Sequence, residues 1–176
     1  MMGAGGDLPL ARAWDVWVSA PPVSRHAVPP LRRLGGFACV ASMWRWLNNL
    51  PAPGRMAVGG AIYIFQRGVD PRWEHPANSA GGRWLYSIAA DDLAAAAWQD
   101  LCLGLAGEVL DPAAEVVGIV LARRFHYTRL SVWTRNRRRA DHNMAIGRAV
   151  KVDLPGGVGL DYQDHGAPFG GFRHTL

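Results

Sequence analysis

An indole followed at once by a carboxylate, Trp73-Glu74, stands just after the turn Gly68-Val69-Asp70-Pro71. A π face attracts a flat cation, and a neighbouring carboxylate accepts hydrogen bonds from that cation's N–H edge. The pair suits a planar, positively charged, hydrogen-bond-donating ligand. The turn puts it on a loop, where binding residues concentrate. The plainer alternative, an indole tucked under its own loop, stays open at this level.

A second group lies further on. Val116 to Phe125 reads as a strand, and Thr128 to Thr134 as its hairpin partner. Side chains alternate faces along a strand, so Arg124 and His126 share one face, and Arg129, Ser131 and Trp133 share another. If the two faces coincide, the hairpin gathers donors beside an indole and holds phosphates by charge-assisted hydrogen bonds. The bland reading is a set of hairpin arginines in solvent. Two further pairs, Asp141-His142 and Asp164-His165, carry acid–base groups but no nucleophile signature and no ligand spacing. They point to neither an enzyme nor a metal site, and no cofactor is implied.

The net charge is +5, and every basic residue except Lys151 is arginine. Arginine's planar fork suits phosphates and π faces, and arginines interleaved with aromatics fit a nucleotide or nucleic-acid ligand. The 49% hydrophobic fraction with no long apolar run fits a globule without a membrane span. Residues 1 to 7 lack the basic start and apolar stretch of a signal peptide and read as a flexible N-terminal tail. Cys39 and Cys102 sit among apolar residues without ligand spacing, which suits reduced thiols in the cytoplasm.

Those residues need a frame. Trp14 to Val18, Ala61 to Phe65, Arg83 to Ile88 and Val158 to Gln163 read as further strands. Val40, Met43, Trp44 and Leu47 fall at i, i+3, i+4 and i+7 of a helix over Val40 to Leu50. A second helix begins at Asp91-Asp92 and ends at Gly107, and a third spans Asn143 to Val152. Strands with three interspersed helices and short connections predict an α+β fold, a mostly antiparallel sheet with helices on one face. Residues 8 to 176 read as one domain, with a flexible C-terminal loop from about residue 166.

Eight tryptophans are unusual for a chain of 176 residues, and their order carries a resemblance. Pro9-Leu10 precedes Trp14 and Trp17, and Trp44 lies on the first helix. Gly68-Val69-Asp70-Pro71-Arg72-Trp73-Glu74 and Gly81-Gly82-Arg83-Trp84-Leu85 follow. Trp98 then leads to Leu101-Cys102-Leu103 and Gly107-Glu108. Ser131-Val132-Trp133-Thr134, Ile146-Gly147-Arg148 and Tyr162-Gln163 with His165 complete the series. From about Leu8 to His165 the chain resembles the translation initiation factor 4E family, the mRNA cap-binding proteins, with departures like those of divergent protozoan paralogues.

The resemblance implies a curved sheet with three helices on its convex face and the ligand on its concave side. It implies that Trp73 stacks on 7-methylguanine, that Glu74 accepts the N1 and N2 protons of the base, and that Trp133 lies beside the methyl group. Arg124 and Arg129 match the residues on the phosphates, and His126 stands where the family often has lysine, expected as a third phosphate contact that is weaker and more pH-sensitive. It also implies a second surface for a helical segment of a 4G-like scaffold factor or a repressor, made by Pro9, Val40, Trp44, Leu103 and Gly107, with Gln99 at a position usually apolar. One departure is large. The family's second stacking tryptophan falls on Ala27 here, and His26 is the nearby ring, expected either to replace it or to leave the base stacked on one side. The expected protein is a monomer that binds capped mRNA and links it to the translation scaffold. Two alternatives stand beside this: a repressor or an isoform for a hypermethylated cap, and an interaction module of weak cap affinity acting through Trp44.

Overall fold

The computed structural model describes residues 7–24, 30–111, 113–166 and 172–176, with the backbone alone at residues 172 and 173. Eight strands form one antiparallel sheet: β1 (Pro9–Ser19), β2 (Leu31–Cys39), β3 (Ala61–Gln66), β4 (Gly82–Ile88), β5 (Val116–Arg123), β6 (Thr128–Thr134), β7 (Asp161–Asp164) and β8 (Phe172–Thr175). Their spatial order is β2-β1-β3-β5-β6-β4-β7-β8. Three longer helices, α1 (Val40–Asn49), α3 (Asp91–Ala106) and α4 (Ala140–Val152), accompany a one-turn α2 (Pro76–Ser79).

Alternation along each strand sorts the side chains into two populations. Trp14 and Val16 of β1, Ile62 and Ile64 of β3, Ile119 and Leu121 of β5, Leu130 and Val132 of β6, and Trp84 and Tyr86 of β4 join Met43, Trp98, Leu101, Cys102, Ile146 and Val150 of the helices in one buried cluster. Burial pushes the Cys102 thiol pKa up, which leaves it an inert core group. The intervening residues point the other way. Phe65, Val117, Val120, Ala122 and Trp133 make a smaller second cluster, against which Tyr63 packs. The helices therefore cover one face of a curved antiparallel sheet, as the sequence pattern and the resemblance implied, and leave the other face open.

The differences from the sequence reading have local causes. Leu31–Cys39, unassigned from sequence, pairs with β1 through shifted registers. Its Gly35-Gly36 break admits the Trp46 side chain, whose indole N–H donates to the Gly36 carbonyl at 3.2 Å. β1 begins at Pro9, five residues earlier than its aromatic pattern indicates. Residues 172–175, expected within a flexible C-terminal loop, form β8 and pair with β7. Residues 1–6 of the expected tail lie outside the described residues; Asp7 accepts the backbone N–H of Ala41 at 3.1 Å.

Close packing joins α4 to the sheet. The Trp84 indole is fully buried, donates to the Asn143 carbonyl at 2.7 Å, and meets Tyr162 edge-on at 5.2 Å. A methyl group on Gly147 would overlap that indole. Gly147→Ala is accordingly expected to lower stability by about 1–3 kcal/mol, the usual cost of overpacking a rigid core. Denaturant unfolding of the variant against the parent measures it, and an unchanged midpoint would show that the helix moves aside freely.

Candidate functional site

The open face of the sheet carries the residues singled out by chemistry. Strand registers place Arg83 of β4 beside Trp133 of β6, and Arg129 and Ser131 of β6 beside Ala122 and Val120 of β5. Arg124 follows β5 directly and lines the same cavity as Arg83, Arg129, Ser131 and Trp133, a cleft of about 460 Å³. The two hairpin faces therefore coincide at Arg124 and Arg129. They do not at His126. The backbone N–H of Arg124 bonds the Tyr127 carbonyl at 2.8 Å, closing a tight turn. Strand alternation ends inside that turn, and His126 sits exposed at the tip with its ring edge-on to Phe125, outside the cleft lining.

The three guanidinium groups have neutral partners. Arg83 donates to the Gln163 side-chain oxygen at 3.0 Å, and Arg129 to the Tyr127 hydroxyl at 3.0 Å while lying over that ring. Among the described residues Arg124 reaches the neighbouring Arg123 carbonyl, at 3.4 Å. Among the described residues none of the three makes a salt bridge. Burial, followed by the charges of Arg129 and Arg124, lowers the Arg83 pKa from its ordinary value. Like charges held together and partly desolvated favour an anion between them.

Trp73 stands on the loop between β3 and α2 and is 52% exposed. The loop is held from below rather than by its own tip. Gly68 takes a positive φ of 84°, a conformation open to glycine, and turns the chain. The fully buried Asn78 amide then donates to the carbonyls of Asp70 at 2.9 Å and Arg72 at 2.7 Å, one on each side of the buried Pro71. Asn78 is thus a positioning residue for Trp73. Glu74 next to it is exposed. Trp73, Glu74, Trp133, Tyr63, Pro30 and Leu31 line a second cavity of about 680 Å³. A third, about 320 Å³, is shared by Trp73, Trp133, Arg83, Gln163 and His165. Trp73 and Trp133 border all three cavities.

Trp133 is 6% exposed, packs edge-on against Phe65 at 5.2 Å, and lies 4.2 Å from the His165 ring. Its buried indole N–H has no partner among the described residues. His165 is pushed down to about 4, first by burial and then by the charges of Arg83 and Arg137, so its imidazole is neutral near pH 7. It adds no positive charge against a cationic ligand beside Trp133. Asp141 and His142 lie on α4 and line none of these cavities, and no cluster of three or more metal-type ligands occurs among the described residues. His26 and Ala27 lie outside the described residues.

The helix face brings the second group of residues together. The Val40 N–H bonds the Leu8 carbonyl at 2.9 Å, which sets Pro9 beside the start of α1. Trp44, one turn on, is half-buried and shares a cavity of about 160 Å³ with Trp98 and the exposed Gln99 of α3. Leu103 and Gly107 follow Gln99 at one-turn intervals, and both are exposed. Sequence reasoning missed Arg83, Asn78 and Tyr63 as site residues. Arg83 was readable by parity, since it alternates with the core residue Trp84; Asn78 carries no such signal.

The family model for Eukaryotic initiation factor 4E matches residues 9–170. Relatives include Eukaryotic translation initiation factor 4E of Dictyostelium discoideum, 27% identical over 160 residues, covering 89% of this chain and 64% of that protein. Eukaryotic translation initiation factor NCBP of Oryza sativa is 31% identical, covering 90% and 72%. The chain therefore spans about two thirds of the length of these relatives. Among solved structures, C. elegans eIF4E-3 in complex with the 4E-binding protein Mextli and a cap analog superimposes with a TM-score of 0.88 at 28% identity, covering 97% of this chain and 99% of that one. Ascaris suum eIF4E-3 with an m2,2,7G cap gives 0.86 at 26% identity, covering 97% and 98%.

The neutral, buried His165 has a consequence for stability. In the unfolded chain it takes a proton below about pH 6.5, whereas in the fold it resists protonation down to about 4. The unfolded state then binds more protons between these values, so stability falls as pH drops through that window. Unfolding curves from pH 7 to pH 4 are expected to show a shallower loss for His165→Phe than for the parent; an identical slope would contradict the assignment.

Proposed function

Because the chain belongs to the eukaryotic initiation factor 4E family, we propose that its concave cleft binds the 7-methylguanosine cap of mRNA and that its helix face holds a helical segment of a translation scaffold. The reading rests on one observation above all. Trp73 and Trp133 border three adjoining cavities, one carrying a carboxylate and another three guanidinium groups that have no acid partner among the described residues. A cap has a matching polarity, from a flat cationic base to a chain of phosphates.

Methylation gives the base a positive charge. A partly desolvated cation over the Trp73 face gains about 2 kcal/mol over the neutral base, roughly thirtyfold in affinity. Glu74 accepts the two N–H groups of the base edge, and the methyl group lies against Trp133. The phosphates then fall to Arg124 and Arg129, with Arg83 beneath them. His126, exposed at the hairpin tip and outside the cleft lining, takes no part in holding the phosphates. Nothing in this scheme turns over a bond: the protein selects a ligand and keeps it.

The second surface supports the linking role. Trp44 and Gln99 flank a shallow cavity on the far side of the sheet from the cleft, with Val40 and Leu103 a turn away on their helices. An amphipathic helix laid there binds without disturbing the cleft. The similar worm protein is seen with both a cap analog and a 4E-binding protein. We place this protein in the cytoplasm with its relatives among the translation factors; among the described residues no helix is long and apolar enough to cross a membrane.

Tryptophan fluorescence titration tests the reading. 7-Methylguanosine triphosphate is expected to quench and to bind at least tenfold tighter than guanosine triphosphate. Equal binding of the two, or no response to either, removes the cap assignment. Trp44→Ala is expected to keep cap affinity within twofold while binding a scaffold-type helical peptide at least tenfold more weakly. A variant that still holds the peptide removes the helix-face assignment.

A further inference from the structure

Two of the three adjoining cavities share a border. The larger one carries Trp73 and Glu74, and the other carries Arg124 and Arg129. A nucleotide laid from one to the other has its base in the first and its phosphates in the second. Its sugar must then lie at the junction, since the ribose is the covalent link between the two. Four side chains border both spaces: Tyr63, Pro71, Trp73 and Trp133. Pro71 is buried and Trp133 nearly so, and Trp73 is given over to the base. Tyr63 is the half-buried member that remains.

Its position is fixed by the sheet. Tyr63 is the third of the six residues of β3, paired with Trp17 of β1 on one side and Val120 of β5 on the other. The phenol oxygen lies 3.2 Å from the Ser19 hydroxyl, which holds the ring at its far end. Either oxygen can donate, so when Ser19 donates, the phenol proton is free for a ligand hydroxyl. A ring anchored at both ends presents apolar area with little entropy left to lose on binding.

We propose that Tyr63 is a specificity residue of the cleft: it contacts the ribose of the bound nucleotide and couples the base slot to the arginine channel. The inference rests on the cap-binding reading above and adds the sugar to what that reading recognises. The contact belongs to a ribonucleotide, with packing of the sugar on the ring and one hydrogen bond between the phenol and a sugar hydroxyl.

Three ligands separate the parts: 7-methylguanosine triphosphate, its 2′,3′-dideoxy analogue, and inorganic triphosphate. With the parent protein the first is expected to bind at least threefold tighter than the second. Tyr63→Phe is expected to erase that difference while leaving the dideoxy analogue unchanged within twofold. Tyr63→Ala is expected to weaken both nucleotides at least fivefold and to leave inorganic triphosphate unchanged, with the melting temperature recorded for each variant. Parent-like nucleotide binding by Tyr63→Ala overturns the proposal, and so does an equal loss of inorganic triphosphate, which would assign Tyr63 to the arginine channel alone. A Tyr63→Phe protein that still separates the two nucleotides confines the contact to packing and overturns the hydrogen bond. If the parent prefers neither methylated nucleotide over guanosine triphosphate, the cap reading itself falls and the proposal falls with it.

Discussion

Everything in this protein depends on an antiparallel sheet that is wet on one face and dry on the other. Alternation along β1, β3, β4, β5 and β6, broken by bulges only in β1 and at the start of β5, divides their residues between the helix-packed core and the open face. A shift by one residue would drive Arg83, Arg129 and Asp15 into the apolar core and Trp84, Leu130 and Val16 into the cleft. The helices are thus more than a cover. By making one face intolerant of charge, they fix the register that gathers charge on the other.

That gathering has an electrostatic cost which the ligand relieves. Among the described residues, Arg83, Arg124 and Arg129 face one space with amide, hydroxyl and carbonyl partners and no carboxylate. Several arginines elsewhere do pair with carboxylates: Arg12 with Glu108, Arg33 with Asp15, Arg123 with Asp91, Arg139 with Glu115. The contrast is sharpest at Arg123 and Arg124, neighbours on opposite sides of the hairpin, of which only the second faces the cleft. Unpaired guanidinium groups held rigidly in one place are worth more to a phosphate chain than the same groups on mobile side chains, because little ordering remains to be done. Neutral His165 adds no further positive charge beside Trp133.

Much of this was legible in the sequence, for a physical reason: alternation and tight turns are local rules. The hairpin reading brought Arg124, Arg129 and Trp133 to one face because those residues sit on or directly beside regular strand. It failed for His126, one of two residues inside the turn, where the backbone leaves the extended region. β2 was invisible because a glycine pair and arginines interrupt its pattern, and its stability comes from Trp46 and β1, both distant in sequence. β8 was invisible because a four-residue edge strand has little pattern to show. Asn78, which holds the Trp73 loop, acts through two main-chain carbonyls and so leaves no spacing to recognise. The resemblance supplied the curvature and the ligand, which no local rule gives.

The central claim is that an indole and a carboxylate, side by side on a rigid loop, recognise the positive charge and N–H edge of a methylated base. The most direct measurement is the ratio of affinities for 7-methylguanosine triphosphate and guanosine triphosphate in Glu74→Gln and in the parent, taken by the same titration. Loss of the carboxylate is expected to cut that ratio at least fivefold while leaving binding of inorganic triphosphate unchanged. A ratio unchanged by the substitution would contradict the account, because the methylated base would then be recognised by something other than the Trp73–Glu74 pair.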